Sequence, residues 1–167
     1  MAEWGRFSDG GSEMSEVRLP GNKHLQLKLV TLLGEKFNEK VYEVVLPSEL
    51  GPVAIFPGHK PLVTLLESGA MTIRREADDP DMKLQFLALS GGIARITQNE
   101  VVVLTDEAEA DDEIAEKEAK EAYERAVMAA KEVTDYLELE EAKRLVQHQA
   151  ARLKVAELRR RYRDIKK

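Results

Sequence analysis

Apolar and polar positions follow one period up to about residue 105 and another beyond it. Leu25, Leu27, Leu29 and Thr31 alternate with Gln26, Lys28 and Val30, the two-residue period of a strand with one face buried. Short β-branched or apolar runs follow at Val41–Leu46, Val53–Phe56, Ala70–Arg74, Leu84–Leu89, Ile93–Ile96 and Val101–Leu104. Turn-forming residues divide them: Pro47, Pro57-Gly58, Glu67-Ser68-Gly69, Asp78-Asp79-Pro80-Asp81, Ser90-Gly91-Gly92 and Gln98-Asn99-Glu100. Short strands at this spacing, with no helix between them, predict an antiparallel sandwich or barrel rather than βαβ units.

After Thr105 Gly and Pro disappear, and Ala, Glu, Lys, Arg and Leu dominate. These residues favour helix. Asp135 followed by Glu138 has the spacing of a capping box, so a new helix is predicted to start there. The segment reads as two helices, 111–133 and 136–163, in an antiparallel hairpin. Ala115, Ala119, Ala122, Ala126, Ala130 and Val133 recur on one face of the first helix. Leu139, Ala142, Val146, Gln149, Leu153 and Ala156 do so on the second. Alanine seams allow close approach but bury little apolar area, at roughly 25 cal/mol per Å². Two readings stay open: a marginal hairpin that can refold against a partner, or a fixed one. The fold class is α+β, mainly β, with a sandwich head over 23–106 and a helical hairpin over 107–167. Residues 1–22, rich in Gly, Ser and charge, read as a disordered leader or as the product of a start codon upstream of the true one.

Charged residues make up 34% of the 167 residues, above the roughly 25% usual in globular chains, and the excess lies in the hairpin. Residues 106–140 carry 14 acidic and 4 basic side chains, whereas 141–167 carry 3 acidic and 10 basic. Antiparallel pairing explains part of this division. The run Arg159-Arg160-Arg161 with Arg163 is expected to extend beyond the acidic helix and to suit an acidic protein surface. A net charge of -6 disfavours nucleic acid as a partner. The absence of cysteine excludes disulfide and thiolate chemistry. No run of about 18 apolar residues offers a membrane-spanning helix. His24, His59 and His148 do not stand at metal-ligand spacing, and HExxH, GxSxG and Walker-type loops are missing. Intrinsic catalysis, a metal and a cofactor are therefore not expected.

The most specific stretch is Gly51-Pro52-Val53-Ala54-Ile55-Phe56-Pro57-Gly58-His59-Lys60-Pro61-Leu62-Val63-Thr64. It is followed in order by Ser90-Gly91-Gly92-Ile93, by Val101–Leu104 leading into Asp106-Glu107-Ala108-Glu109, and by Asp135-Tyr136. Over about Leu25 to Arg161 the chain resembles the epsilon subunit of F-type ATP synthases. The resemblance implies a ten-stranded sandwich beside the gamma subunit at the foot of the central stalk, touching the ring of c subunits, one copy per complex. It implies a C-terminal hairpin that lies compact on the sandwich or extends along gamma into the catalytic alpha/beta hexamer and restrains ATP hydrolysis. It also implies a peripheral position on the cytoplasmic face of a bacterial plasma membrane. Glu49, Gly51 and His59 are the partner-contact candidates in the head, and Arg159, Arg160, Arg161 and Arg163 those in the tail.

Two departures stand out. Val53-Ala54-Ile55 replaces the family's frequent Leu-Gly-Ile before the Pro-Gly-His motif. Some bacterial members bind ATP through Ile/Leu-Asp-x-x-Arg-Ala; aligned on Asp111–Glu116, Asp112 matches, but Ala115 and Glu116 take the Arg and Ala positions. A phosphate there would meet carboxylate instead of guanidinium, so ATP binding is not carried over. A free-standing adaptor, sandwich plus hairpin, is the alternative function.

Overall fold

The computed structural model describes residues 24–163. The expectation for the leader lies outside the described residues. The strands are β1 (Leu25–Thr31), β2 (Gly34–Val41), β3 (Glu43–Ser48), β4 (Gly51–Ile55), β5 (Leu62–Arg74), β6 (Gln85–Ile96), β7 (Glu100–Leu104) and β8 (Ala108–Ala110). The helices are α1 (Glu116–Glu132) and α2 (Tyr136–Arg163). The α+β class, a β-sandwich followed by two helices, is the observed one.

The strands pair in the order β2-β1-β7-β6-β5-β3-β4, with β8 added to β6. All these pairings are antiparallel except β1 with β7. Leu25, Leu27 and Leu29 of β1 are fully buried, as their alternation predicts, and meet Val44, Met71, Ile73, Leu87, Leu89 and Val103 in one core.

Several turn predictions fail for one reason. Glu67-Ser68-Gly69 and Ser90-Gly91-Gly92 do not reverse the chain; they lie inside β5 and β6. Leu66 pairs with Gly92 and Ser68 with Ser90, so Glu67 and Gly91 drop out of the ladder. Gly91 and Gly92 take φ of 106° and 131°, which side-chain-bearing residues rarely adopt. These two glycines therefore bend β6, and β5 breaks its pairing with it at Glu67. The first half of β5 and the second half of β6 continue the β7–β1–β2 side, and their other halves lie between β3–β4 and β8. Eight strands with two of them bent do the work of the ten that the resemblance implies.

The run Val41–Leu46 is divided at Tyr42 between β2 and β3. Pro47 does not end β3 but sits opposite Pro52 across the hairpin. β2 escapes the pattern because it is an edge strand, exposed along nearly all its length, with Glu35, Lys36, Glu39 and Lys40 facing solvent. The sheet also continues past residue 106: Ala110 pairs with Leu87 and Ala108 with Leu89. The Asp111 amide then donates to the Phe86 carbonyl at 2.9 Å, and the first helix begins at Glu116 instead of at 111.

Residues 86–89 of β6 are buried on both faces. Leu87 and Leu89 point into the sandwich, while Phe86 and Ala88 join Ile114, Ala119, Ala151, Val155 and Ala156 in a second core under the helices. α2 packs on β5 and β6, and α1 packs on α2. The predicted seam residues of α2 from Leu139 to Leu153 are only half-buried; the fully buried Ala151 and Val155 serve the sheet instead. Asp135 caps α2 as expected, its Oδ1 accepting from the amides of Leu137 at 2.9 Å and Glu138 at 3.2 Å.

Candidate partner-contact sites

Glu49 and Leu50 form the turn between β3 and β4. The Ser48 hydroxyl, almost fully buried, donates to the Gly51 carbonyl at 2.6 Å, and Gly51 accepts φ of 110° to close the turn. That geometry leaves Leu50 fully exposed. In the turn between β1 and β2, Leu33 is as exposed as Leu50 and Leu32 is mostly so. The grooves beside these two turns share Asp106, Glu107 and His148, so both turns lie at one end of the head. Among the described residues, three exposed leucines at one end make an apolar surface of the kind that marks an interaction site.

His59 lies elsewhere. It follows β4, with its amide donating to Phe56 at 3.1 Å and its Nδ1 2.7 Å from the Lys60 carbonyl. Gly58 beside it donates to Gln98 in the β6–β7 turn. Gly51 opens β4 and His59 lies beyond its far end, a strand length of roughly 17 Å of extended chain. The structure thus brings Glu49 and Gly51 together and sets His59 at the other end of the strand.

A second surface was not singled out in the sequence. Leu65 pairs with Ile93, Ile93 with Leu104, and Leu104 with Val30, which aligns these side chains in a row across four strands. Leu65, Ile93 and Leu104 are exposed, and Val63, two residues along the same face, is 62% exposed. The available signal was the run Leu62-Val63-Thr64-Leu65-Leu66, apolar at four of five positions, which lacks the alternation of a strand with one wet face.

The tail arginines differ from expectation. The acidic segment does reach them, because α2 has 28 residues against 17 in α1 and its surplus returns past the start of α1. Arg159 donates to the Asp111 carbonyl at 2.6 Å, Arg160 to Glu116 at 2.6 Å and Arg163 to the Asp111 carboxylate at 3.3 Å. Arg161 makes no ion pair among the described residues. Further up α2, Arg152 grips Glu109 of β8 with two bonds, of 2.5 and 3.0 Å. This pair raises the affinity of Arg152 for its proton, with Glu109 as the main cause. Asp111 is almost fully buried, and that burial pushes its carboxyl above the usual range despite the opposing pull of Arg163 and Arg159. Lys36 fastens the same segment to β2, donating to the Ala108 carbonyl at 2.6 Å and to Glu113 at 2.8 Å. It holds the Glu113 carboxyl below its ordinary value.

Residues 24–111 match the family described as ATP synthase, delta/epsilon chain, beta-sandwich domain. The ATP synthase epsilon chain of Prochloron didemni is 37% identical over 102 residues, covering 61% of this chain and 71% of its own. The chloroplastic epsilon chain of Oltmannsiellopsis viridis is 33% identical over 118 residues, covering 71% of this chain and 86% of its own. Among solved structures, a chain of the Euglena gracilis mitochondrial ATP synthase (OSCP/F1/c-ring) shares the fold at a TM-score of 0.67 and 20% identity, over 87% of this chain and 88% of that one.

Proposed function

The chain belongs to the ATP synthase delta/epsilon family, and from that premise we propose that it is a non-catalytic rotor subunit of an F-type ATP synthase. In this reading it joins gamma to the c-ring in the central stalk, helps couple ion flow to ATP synthesis, and restrains ATP hydrolysis when its helices extend toward the alpha/beta hexamer. The complex would hold one copy, at the cytoplasmic face of a bacterial plasma membrane. The observation that carries the proposal is the exposed apolar row Leu65–Ile93–Leu104 with Val63, on the side of the sandwich away from the helices' own core. It is assigned to gamma. The end bearing Leu32, Leu33, Glu49 and Leu50 is assigned to the c-ring, and His59, at the far end of β4, to a separate contact with the stalk. Arg159, Arg160, Arg161 and Arg163 would meet acidic surface on the hexamer once the hairpin opens.

Co-purification tests the proposal. Wild-type protein should be recovered with gamma and the catalytic subunits in stoichiometric amount. Leu65→Lys with Ile93→Glu should lose them while the isolated chain keeps most of its melting temperature, because the two side chains are partly in water and, as cross-strand partners, would carry opposite charges. Retention of gamma by that variant removes the apolar row as the docking face. If wild-type protein recovers no synthase subunit, the free-standing adaptor takes its place. Alanine at all four tail arginines should leave assembly intact and raise ATP hydrolysis; unchanged hydrolysis would remove the inhibitory role.

A further inference from the structure

We propose that Glu109, Glu116 and the Asp111 carbonyl form an internal seat that latches α2 in the compact position, Glu109 by holding Arg152 and the others by occupying Arg159 and Arg160, which an acidic partner would otherwise take. The inference rests on reading the hairpin as the regulatory element and specifies what holds it shut.

The apolar grip on α2 is thin. Three of its residues, Ala151, Val155 and Ala156, are fully buried, and two of them are alanine. Larger side chains contribute only by partial burial: Leu153, Leu158, and Tyr162, whose ring centre lies 5.5 Å from that of Phe86. Against this, four arginines of α2 reach one short stretch of chain between β8 and the first turn of α1. Arg152 and Glu109 are the strongest of these pairs, bidentate, with side chains 22% and 29% exposed. Charge-assisted bonds of that geometry are about twice as strong as neutral ones and lose less to screening than exposed pairs. Arg160 and Glu116 lie nearer solvent and contribute less.

Asp111 plays a different part. Its carboxyl is raised by burial, so the pair with Arg163 does not fully offset the cost of removing the charge from water. Arg163 is needed chiefly to neutralise it. With α2 lifted away, Asp111 becomes hydrated and the arginines become free in the same step. The seat and an external acidic surface therefore compete for Arg159, Arg160 and Arg163, while Arg152 serves only to hold the helix down.

The chain contains no cysteine, so Leu50→Cys with Leu145→Cys provides a clean pair of spin-label sites, one on the head and one on α2. Both positions are exposed, and Leu145 lines the same groove as Glu49. In the isolated chain, Glu109→Gln should lower the compact-to-open ratio about tenfold, the effect of losing one charge-assisted pair. Raising chloride from about 0.05 to about 1 M should shift the wild type in the same direction. Glu109→Arg with Arg152→Glu should restore the short distance. A short distance unchanged in Glu109→Gln and at high salt overturns the latch. In the assembled synthase without labels, Glu109→Gln should lower ATP hydrolysis, because loosening α2 frees Arg159, Arg160 and Arg163 without removing them. Opening in the isolated chain with no fall in hydrolysis keeps the latch and overturns the inhibitory reading of the hairpin.

Discussion

Gly92→Ala should unfold the head at a much lower temperature than Gly34→Ala, although both glycines have positive φ. Gly34 has φ of 118° and nothing within 4 Å of a built Cβ, so alanine there meets only backbone strain, about 1–3 kcal/mol. Gly92 has φ of 131°, and its Cβ would stand 2.1 Å from the Leu104 carbonyl oxygen and 3.1 Å from the Thr105 Cα. Those neighbours are backbone and cannot rotate away. Leu104 is paired with Ile93, and the Thr105 amide donates to the Val30 carbonyl at 3.1 Å, so relief means parting β6 from β7 or β7 from β1. Overpacking of this kind adds about 1–3 kcal/mol or more to the strain. With about 4–8 °C of melting temperature per kcal/mol for a domain of this size, Gly92→Ala should melt at least roughly 4 °C below Gly34→Ala. Thermal unfolding of both variants, followed by the far-ultraviolet strand signal, makes the comparison. Equal melting temperatures would refute the claim that glycine is needed at position 92 for the close approach of the Leu104 backbone.

Arg163→Ala should loosen α2 by stranding the buried Asp111 carboxylate, and adding Asp111→Asn should recover most of the loss, as read by melting temperature. Asp111 has a raised carboxyl, so its contribution to stability is full below its ordinary value of 3.8 and is lost as pH rises through the folded-state value. Asp111→Asn should therefore match the wild type at low pH and equal or exceed it at neutral pH; a variant less stable only at neutral pH would contradict this. We propose that the head folds without the helices, and that a chain ending at residue 111 melts higher than one ending at 106, which lacks β8; equal melting would show that β8 contributes nothing. Glu49→Cys should form a disulfide with a cysteine placed in a c-subunit loop of the oxidised complex, and failure at every position of the β3–β4 turn would remove that end of the head from the ring.

The sequence alone determined the elements whose signal is local. Alternation in Leu25–Thr31 placed β1 with its correct face inward, because a strand with one wet side must repeat every two residues. The loss of Gly and Pro after Thr105 marked the change to helix, and Asp135 marked the start of α2, because a cap acts on amides two and three residues away. The ordered motifs from Gly51 to Glu109 indicated the family. What only the tertiary structure decided depends on distant partners. Ser90-Gly91-Gly92 permits a turn or a bend equally well by its own φ preferences, and the close approach of Leu104 selects the bend. β2 has too little apolar surface to show a period, and it is a strand because β1 supplies its hydrogen bonds. Arg159, Arg160 and Arg163 looked unpaired in the sequence, since Asp111 and Glu116 lie more than 40 residues away. The hairpin's return, and the unequal lengths of its two helices, bring those charges within hydrogen-bond reach.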